Sequence, residues 1–274
     1  MRRRGVTIVE IIVVVGVITV MLGLLLPVAG SVRTHGRKVR EMSAARQLMV
    51  AYFNYAADHR DAVLPGYKLG SRARDHRGHA VGDPAAARYP WRLAPYIDFA
   101  LHGLFVDSQR ELLAELEQTD PDTYVYGISL NPSLGLNATW VGGNERELGF
   151  NRTFEDLFGP FYVRHCGEIL HPERLLIFVS ARGEDPMGSG LGPVEGYFRT
   201  ASPWLTVVEG DRWSQEYESG GDPVDFGHVS LRYGGVAVIA YADGHTGELD
   251  ERRLRDMRHW ANWAQTADYA LTPR

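Results

Sequence analysis

A chain of 274 residues with 29 lysines and arginines against 34 aspartates and glutamates carries a formal charge of −5, which argues against a nucleic-acid binder held by phosphate contacts. Its one cysteine, Cys166, excludes an intramolecular disulfide, and 30 glycines with 14 prolines point to a loop-rich fold. The length suits one sizeable domain beyond any anchor.

The chain opens MRRRGVTIVEIIVVVGVITVMLGLLLP, three arginines followed by a long apolar run. Glu10 is the only charged residue between Val6 and Leu26, and Thr7 and Thr19 are the only other polar side chains there. At about 1.5 Å per helical residue the run reaches roughly 30 Å, one hydrocarbon core. Arg2, Arg3 and Arg4 belong on the cytoplasmic side, so everything after Pro27 should face outward. A carboxylate inside such a segment costs about 3 kcal/mol, which marks Glu10 as a functional residue in need of a cation or a donor. A conventional signal peptide cut near Val28-Ala29-Gly30, or a plain anchor, is the competing reading; neither has a use for Glu10.

Gly5-Val6-Thr7-Ile8-Val9-Glu10 resembles the class III signal of type IV pilins and type II secretion pseudopilins, with Val6 for the usual Phe and Ile8 for the usual Leu. The resemblance implies cleavage after Gly5 by a prepilin peptidase and N-methylation of Val6. It also implies that Glu10 neutralises the terminal amine of a neighbouring subunit during assembly, which supplies the cation. Pro27 fits the same pattern, because pilin-like helices carry a proline about there, where it removes a hydrogen bond and kinks the helix.

Val32, Val39, Met42, Leu48, Met49, Tyr52, Phe53 and Ala56 recur at threes, fours and sevens. They predict that the helix continues past Pro27 to about residues 59–61, amphipathic from about residue 30. Arg33, Arg37, Lys38, Arg40 and Arg46 line its other face, as a solvated surface or one that meets lipid headgroups or acidic subunits. Residues 66–90 read as a loop, where Asp75, His76 and His79 have a weak zinc-like spacing without a third ligand at a diagnostic interval. Trp91-Arg92-Leu93-Ala94-Pro95-Tyr96-Ile97 opens a packed segment. Residues 108–118 read as a helix stopped by Asp120-Pro121-Asp122, 124–130 as a strand, 131–160 as loop-rich, and 161–165 and 175–180 as strands.

Residues 180–196 read as a long loop, in which the alternating Gly188, Gly190 and Gly192 lack the strand–turn–helix setting of a phosphate cradle. The apolar runs 229–231 and 236–241 flank Arg232-Tyr233-Gly234-Gly235, a hairpin signal, and Asp243-Gly244-His245 makes a second turn. Residues 251–264 read as a helix with Leu254, Met257, Trp260, Ala261 and Ala264 on one face. No serine elbow and no phosphate-binding loop motif occurs, and His165 beside Cys166 is a poor dyad, since neighbours on a strand face opposite ways. The chain is therefore not expected to be an enzyme.

The stretch from Arg232 to His245 resembles a motif of a bacterial set of pseudopilin-like proteins, a His followed nine residues later by Asp-Gly. Gly235, Tyr241, Asp243, Gly244 and His245 fit it, whereas Tyr233 stands at the His position and Val238 at an Asn position. Residues 44–55, 91–97 and 171–176 resemble the same set more loosely. Some pseudopilins use calcium in C-terminal loops, so Asp243 with Asp222 and Asp225 is a candidate calcium set, against the plainer reading of a glycine turn. No other cofactor is implied.

The expected protein is α+β and pilin-like, with a long helix on an antiparallel sheet. Its parts are a leader (1–5), a transmembrane segment (6–27), an amphipathic continuation (28–60) and an extracytoplasmic head (61–274). It would lie in the bacterial inner membrane as a single-pass protein with a periplasmic head. Its partners would be prepilin peptidase, other pilin or pseudopilin subunits, the inner-membrane assembly platform and lipid. The alternative is an anchored extracytoplasmic module that binds sugar or protein through Trp140, Trp204 and Trp213.

Overall fold

The computed structural model describes residues 8–105, 108–185 and 192–274, with the side chains of 22–29, 31, 108, 109, 111 and 112 outside the description. The chain divides into two compact units, Met1–Val39 and Arg40–Arg274. Helix α1 runs Ile8–Asp58, 51 residues, as its unbroken apolar and then amphipathic pattern predicts.

From Ile8 to Met21 the helix presents apolar side chains on every side. Thr19 Oγ1 donates to Val15 O at 2.8 Å and Thr34 Oγ1 to Gly30 O at 3.2 Å, so the helix satisfies its own hydroxyls. Among the described residues no helix is long and apolar enough to cross a membrane. The described side chains of the apolar run, Ile8 to Met21, cover only about 21 Å at about 1.5 Å per residue, and the segment from Val6 to Leu26 extends past them at both ends.

The second unit is α+β. Its remaining elements are α2 (Tyr89–Leu93), α3 (Ser108–Thr119), α4 (Pro121–Leu130), β1 (Leu134–Leu136), α5 (Arg152–Phe158), β2 (Leu176–Ser180), β3 (Arg182–Gly183), β4 (Val194–Glu195), β5 (Val236–Tyr241), β6 (Thr246–Asp250) and α6 (Glu251–Leu254). Strands β1-β2-β5-β6 form one antiparallel sheet in that order, and β3 pairs with β4. Side chains of β5 alternate between two cores, which is why this strand is apolar throughout rather than alternating with polar residues. Val238 and Ala240 join Leu48, Met49 and Tyr52 of α1 with Trp91 of α2. Ala237, Ile239 and Tyr241 join Trp140, Trp213, Leu254 and Trp260 on the other face. Phe178 of β2 meets Tyr52 and Tyr89 edge to face, with centroids 6.1 and 5.2 Å apart.

Several sequence expectations are corrected. Residues 124–130 are not a strand: Asp120 accepts from Thr123 N at 3.2 Å and Pro121 occupies the first turn, so the segment expected to stop α3 starts α4. Residues 161–165 make only isolated bridges, Val163 with Val141 and His165 with Ala62. The loop-rich middle contains β1 and α5. The hairpin is β5–β6 through 242–245, because Val229 bridges Ala181 instead of facing β5. Residues 251–264 bury Leu254, Met257, Trp260, Ala261 and Ala264 as expected, but not as one helix. Asp256 caps a short 3-10 turn at Met257–His259, and Met257 N turns to Ala267 O at 2.9 Å. Val32 and Val39, assigned to the packed stripe of α1, are exposed and precede it. Residues 180–196 carry β3 and β4, while Gly188 and Gly190 lie outside the described residues.

Candidate functional site

Gly5 and Val6, the residues of the processing signal, lie outside the described residues. Glu10 stands in the first turn of α1. Around and after it Ile8, Val9, Ile11, Ile12, Val13, Val14, Val15, Val17, Ile18, Val20 and Met21 are each between 49% and 76% exposed, on every side of the helix. Such a continuous apolar surface belongs against lipid or another protein.

The three candidate calcium ligands do not come together. Asp243 lies in the β5–β6 turn, where its Oδ1 accepts from His245 N at 3.0 Å and meets His245 Nδ1 at 2.6 Å. Gly244 completes that turn with φ +90°, a conformation that favours glycine. This turn adjoins one end of β2, where Ala242 N bonds Leu175 O, while Arg182 N bonds His228 O beyond the other end. Leu175 and Arg182 are about 23 Å apart at roughly 3.3 Å per strand residue. Asp222 and Asp225 belong to the far end, where Asp222 caps the 3-10 turn Pro223–Phe226 by accepting from Val224 N at 2.9 Å. The set does not fit one ion, and among the described residues no group of three or more His, Cys, Asp or Glu side chains is placed to hold a metal.

His79 Nδ1 pairs with Asp75 Oδ2 at 3.2 Å in an exposed loop. His165 Nδ1 faces Glu168 at 3.3 Å rather than Cys166, whose thiol is pushed up by burial. Of the three tryptophans, Trp140 and Trp213 belong to one buried core and Trp204 is half-buried against it. Trp140 is buried and donates to Ser202 Oγ at 2.8 Å, and Trp213 is buried and donates to Ala201 O at 3.0 Å.

Two polar centres escaped the sequence reading. The first is Glu41, 0% exposed on the sheet-facing stripe of α1. Its Oε1 accepts from Arg232 Nη2 at 2.7 Å and its Oε2 from Arg232 Nε at 3.0 Å, a bidentate pair, and both Ser180 Oγ and Tyr233 Oη donate to the same carboxylate. Arg232 also donates to Ala181 O at 2.7 Å and Ser133 O at 2.8 Å. The Tyr233 hydroxyl is raised, first by burial and then by the Glu41 charge. A helix carboxylate is thus tied to β2 and to the turn before β5. The signal was present: Glu41 stands three, four, seven and eight residues before Ala44, Ala45, Leu48 and Met49, on the apolar stripe.

The second centre is Glu147, whose Oε1 accepts from Arg199 Nη1 at 2.8 Å and Arg212 Nη2 at 3.1 Å while Oε2 accepts from Thr139 Oγ1. Burial opposes its charge, but the two guanidiniums outweigh it and hold the carboxyl at about 2. His228 lines the same small cavity, of about 100 Å³. Its Nδ1–H donates to Arg182 O at 3.2 Å, its ring stacks on Tyr197 at 3.9 Å, and its φ of +62° is unusual for a side-chain-bearing residue. Burial and the Arg199 charge pull its imidazole down to about 4, so it is neutral at physiological pH. These partners come from separate stretches of chain, at 139–147, 182, 197–199, 212 and 228, which no local spacing reveals.

No family model, no curated protein and no solved structure matches this chain.

Proposed function

We propose that this protein is a pilin-like subunit of the pseudopilin type. In this reading a prepilin peptidase cuts after Gly5, and the helix from Val6 to Leu26 holds the chain in the inner membrane. Subunits then leave the membrane to form a short filament that serves protein secretion. The role is structural and mechanical, not catalytic.

The observation that carries this reading is the exposed apolar surface from Ile8 to Met21 with a single carboxylate, Glu10, near its start. Lipid would cover that surface before assembly and the helices of neighbouring copies afterwards. Contacts between different faces of identical subunits do not close on themselves and so generate a filament. Glu10 would then set the register by pairing with the Val6 amine of the next subunit, which makes a carboxylate in an apolar medium affordable. The antiparallel sheet of the second unit, with the continuation of α1 packed on it, is the arrangement that the resemblance implies.

Intact mass and N-terminal sequencing of protein from native membranes test the processing step. A chain that starts at N-methyl-Val6 is the expected result, and one that starts near Gly30 would replace the proposal with a secreted domain. Glu10→Ala should leave membrane insertion intact and reduce incorporation into filaments at least tenfold, an effect of about 1.4 kcal/mol or more per contact. Incorporation at the wild-type level would remove Glu10 from the assembly mechanism.

A further inference from the structure

The second unit contains a cavity of about 380 Å³, the size range of small-molecule sites. Its charged lining is Arg92, Lys68 and Arg72, with Tyr55, Tyr96 and His59 as aromatic walls, and among the described residues no carboxylate lines it. Arg92 is the unusual member. It is 7% exposed, and its guanidinium donates only to main-chain oxygens: Arg88 O at 3.2 Å, Ala87 O at 3.0 Å and Gly66 O at 3.3 Å. Its Nη1 is buried without a hydrogen-bond partner, and no acid pairs with it among the described residues. A buried cation normally has an ion-pair partner; the charge of Asp83 favours the guanidinium from outside the lining, but no carboxylate touches it, so the floor of the cavity presents Arg92 as a cation. Burial lowers its pKa to about 10, which keeps it charged at neutral pH.

The nearby acids keep their charge but stand outside the lining and accept from neutral donors. Asp83 Oδ2 accepts from Gly70 N at 2.8 Å, Glu145 Oε2 from Leu69 N at 2.7 Å, and Asp58 Oδ2 from the Tyr96 hydroxyl at 3.1 Å. The Tyr55 and Tyr96 rings meet edge to face, with centroids 5.9 Å apart and an angle of 75°. The Tyr55 and His59 rings stack at 3.9 Å with an angle of 10°, and His59 Nδ1–H donates to Tyr55 O at 2.8 Å, which fixes the ring. Aromatic faces beside a cationic floor suit a ring-shaped body that carries a negative group.

We infer that this cavity binds an anionic sugar of monosaccharide size, its carboxylate or phosphate drawn to Arg92, Lys68 and Arg72 and its ring laid on the tyrosine walls. The site is independent of the assembly proposal, since none of its residues belongs to the apolar run.

Isothermal titration of the full chain in a sugar-free detergent tests this, with glucuronate, glucose 6-phosphate, glucose and inorganic phosphate as probes. Saturable binding of glucuronate or glucose 6-phosphate is expected, and the stronger of the two identifies the charged group. The double variant Lys68→Ala/Arg72→Ala changes only exposed side chains and should weaken that binding about tenfold or more with an unchanged circular-dichroism spectrum. No binding of either anionic sugar up to about 10 mM, an affinity too weak to be specific, would overturn the inference. So would binding of glucose or of inorganic phosphate equal to that of the anionic sugars, or binding unaffected by the double variant.

Discussion

Glu41 and Arg232 are 191 residues apart in sequence, yet they make the bidentate contact that fixes α1 to the turn before β5. Both are desolvated, with side chains 0% and 9% exposed, so the pair holds the register of the helix at a cost that only complete hydrogen bonding offsets. Glu41→Gln leaves Arg232 charged and buried beside a neutral amide. It should destabilise the second unit by about 3–5 kcal/mol, read as a lower urea midpoint, and Glu41→Gln/Arg232→Met should recover part of that loss. A Glu41→Gln midpoint equal to that of the wild type would show that the pair does not anchor the helix. Glu147 and His228 make the fold sensitive to acid. The Glu147 carboxyl lies below its unfolded value of about 4.3, so its contribution is present above that pH and fades as pH falls toward about 2. The His228 imidazole lies below its unfolded value of about 6.5, so the unfolded chain takes up a proton first and stability declines from about pH 6.5 toward about 4. Melting temperature against pH should therefore fall in two stages. His228→Asn should flatten the upper stage, and Glu147→Gln the lower one, with a loss of about 2–3 kcal/mol at neutral pH. A profile unchanged by either substitution would contradict this account.

Elements with a long repeating pattern were legible, and short ones were decided by their ends. The periodicity of α1 places its end at residues 59–61, and the helix ends at Asp58. The segment 124–130 holds Tyr, Val and Ile, which favour strands, yet it is helical, because Asp120 and Pro121 start a helix and its buried residues Tyr124 and Ile128 lie one turn apart. Asp120→Ala should remove the cap, with fraying of Pro121–Leu130 seen as faster amide exchange there and no change in β2 or β5. Unchanged exchange in α4 would mean that packing alone holds its first turn. The β5–β6 hairpin was misplaced for a related reason. Glycines at 234 and 235 look like a hairpin turn, but Val229 is drawn to Ala181, so β5 takes its partner from the other side of Asp243-Gly244-His245.

At the scale of the whole molecule, composition and pattern by themselves determined an apolar helix with one carboxylate, its amphipathic continuation, the glycine turn at Asp243 and an α+β class. These follow from local chemistry: hydrophobic period, charge position and turn residues act within a few residues of each other. Tertiary structure alone decided which strands pair, that Trp140 and Trp213 are buried in the core, and that Asp243 stands at the opposite end of β2 from Asp222 and Asp225. It also gathered Arg92, Lys68 and Arg72 around one cavity and set Glu41 against Arg232. Those arrangements join residues far apart in the chain. Their energies depend on burial and on the partners that the fold brings within about 3 Å, quantities that no stretch of sequence carries on its own.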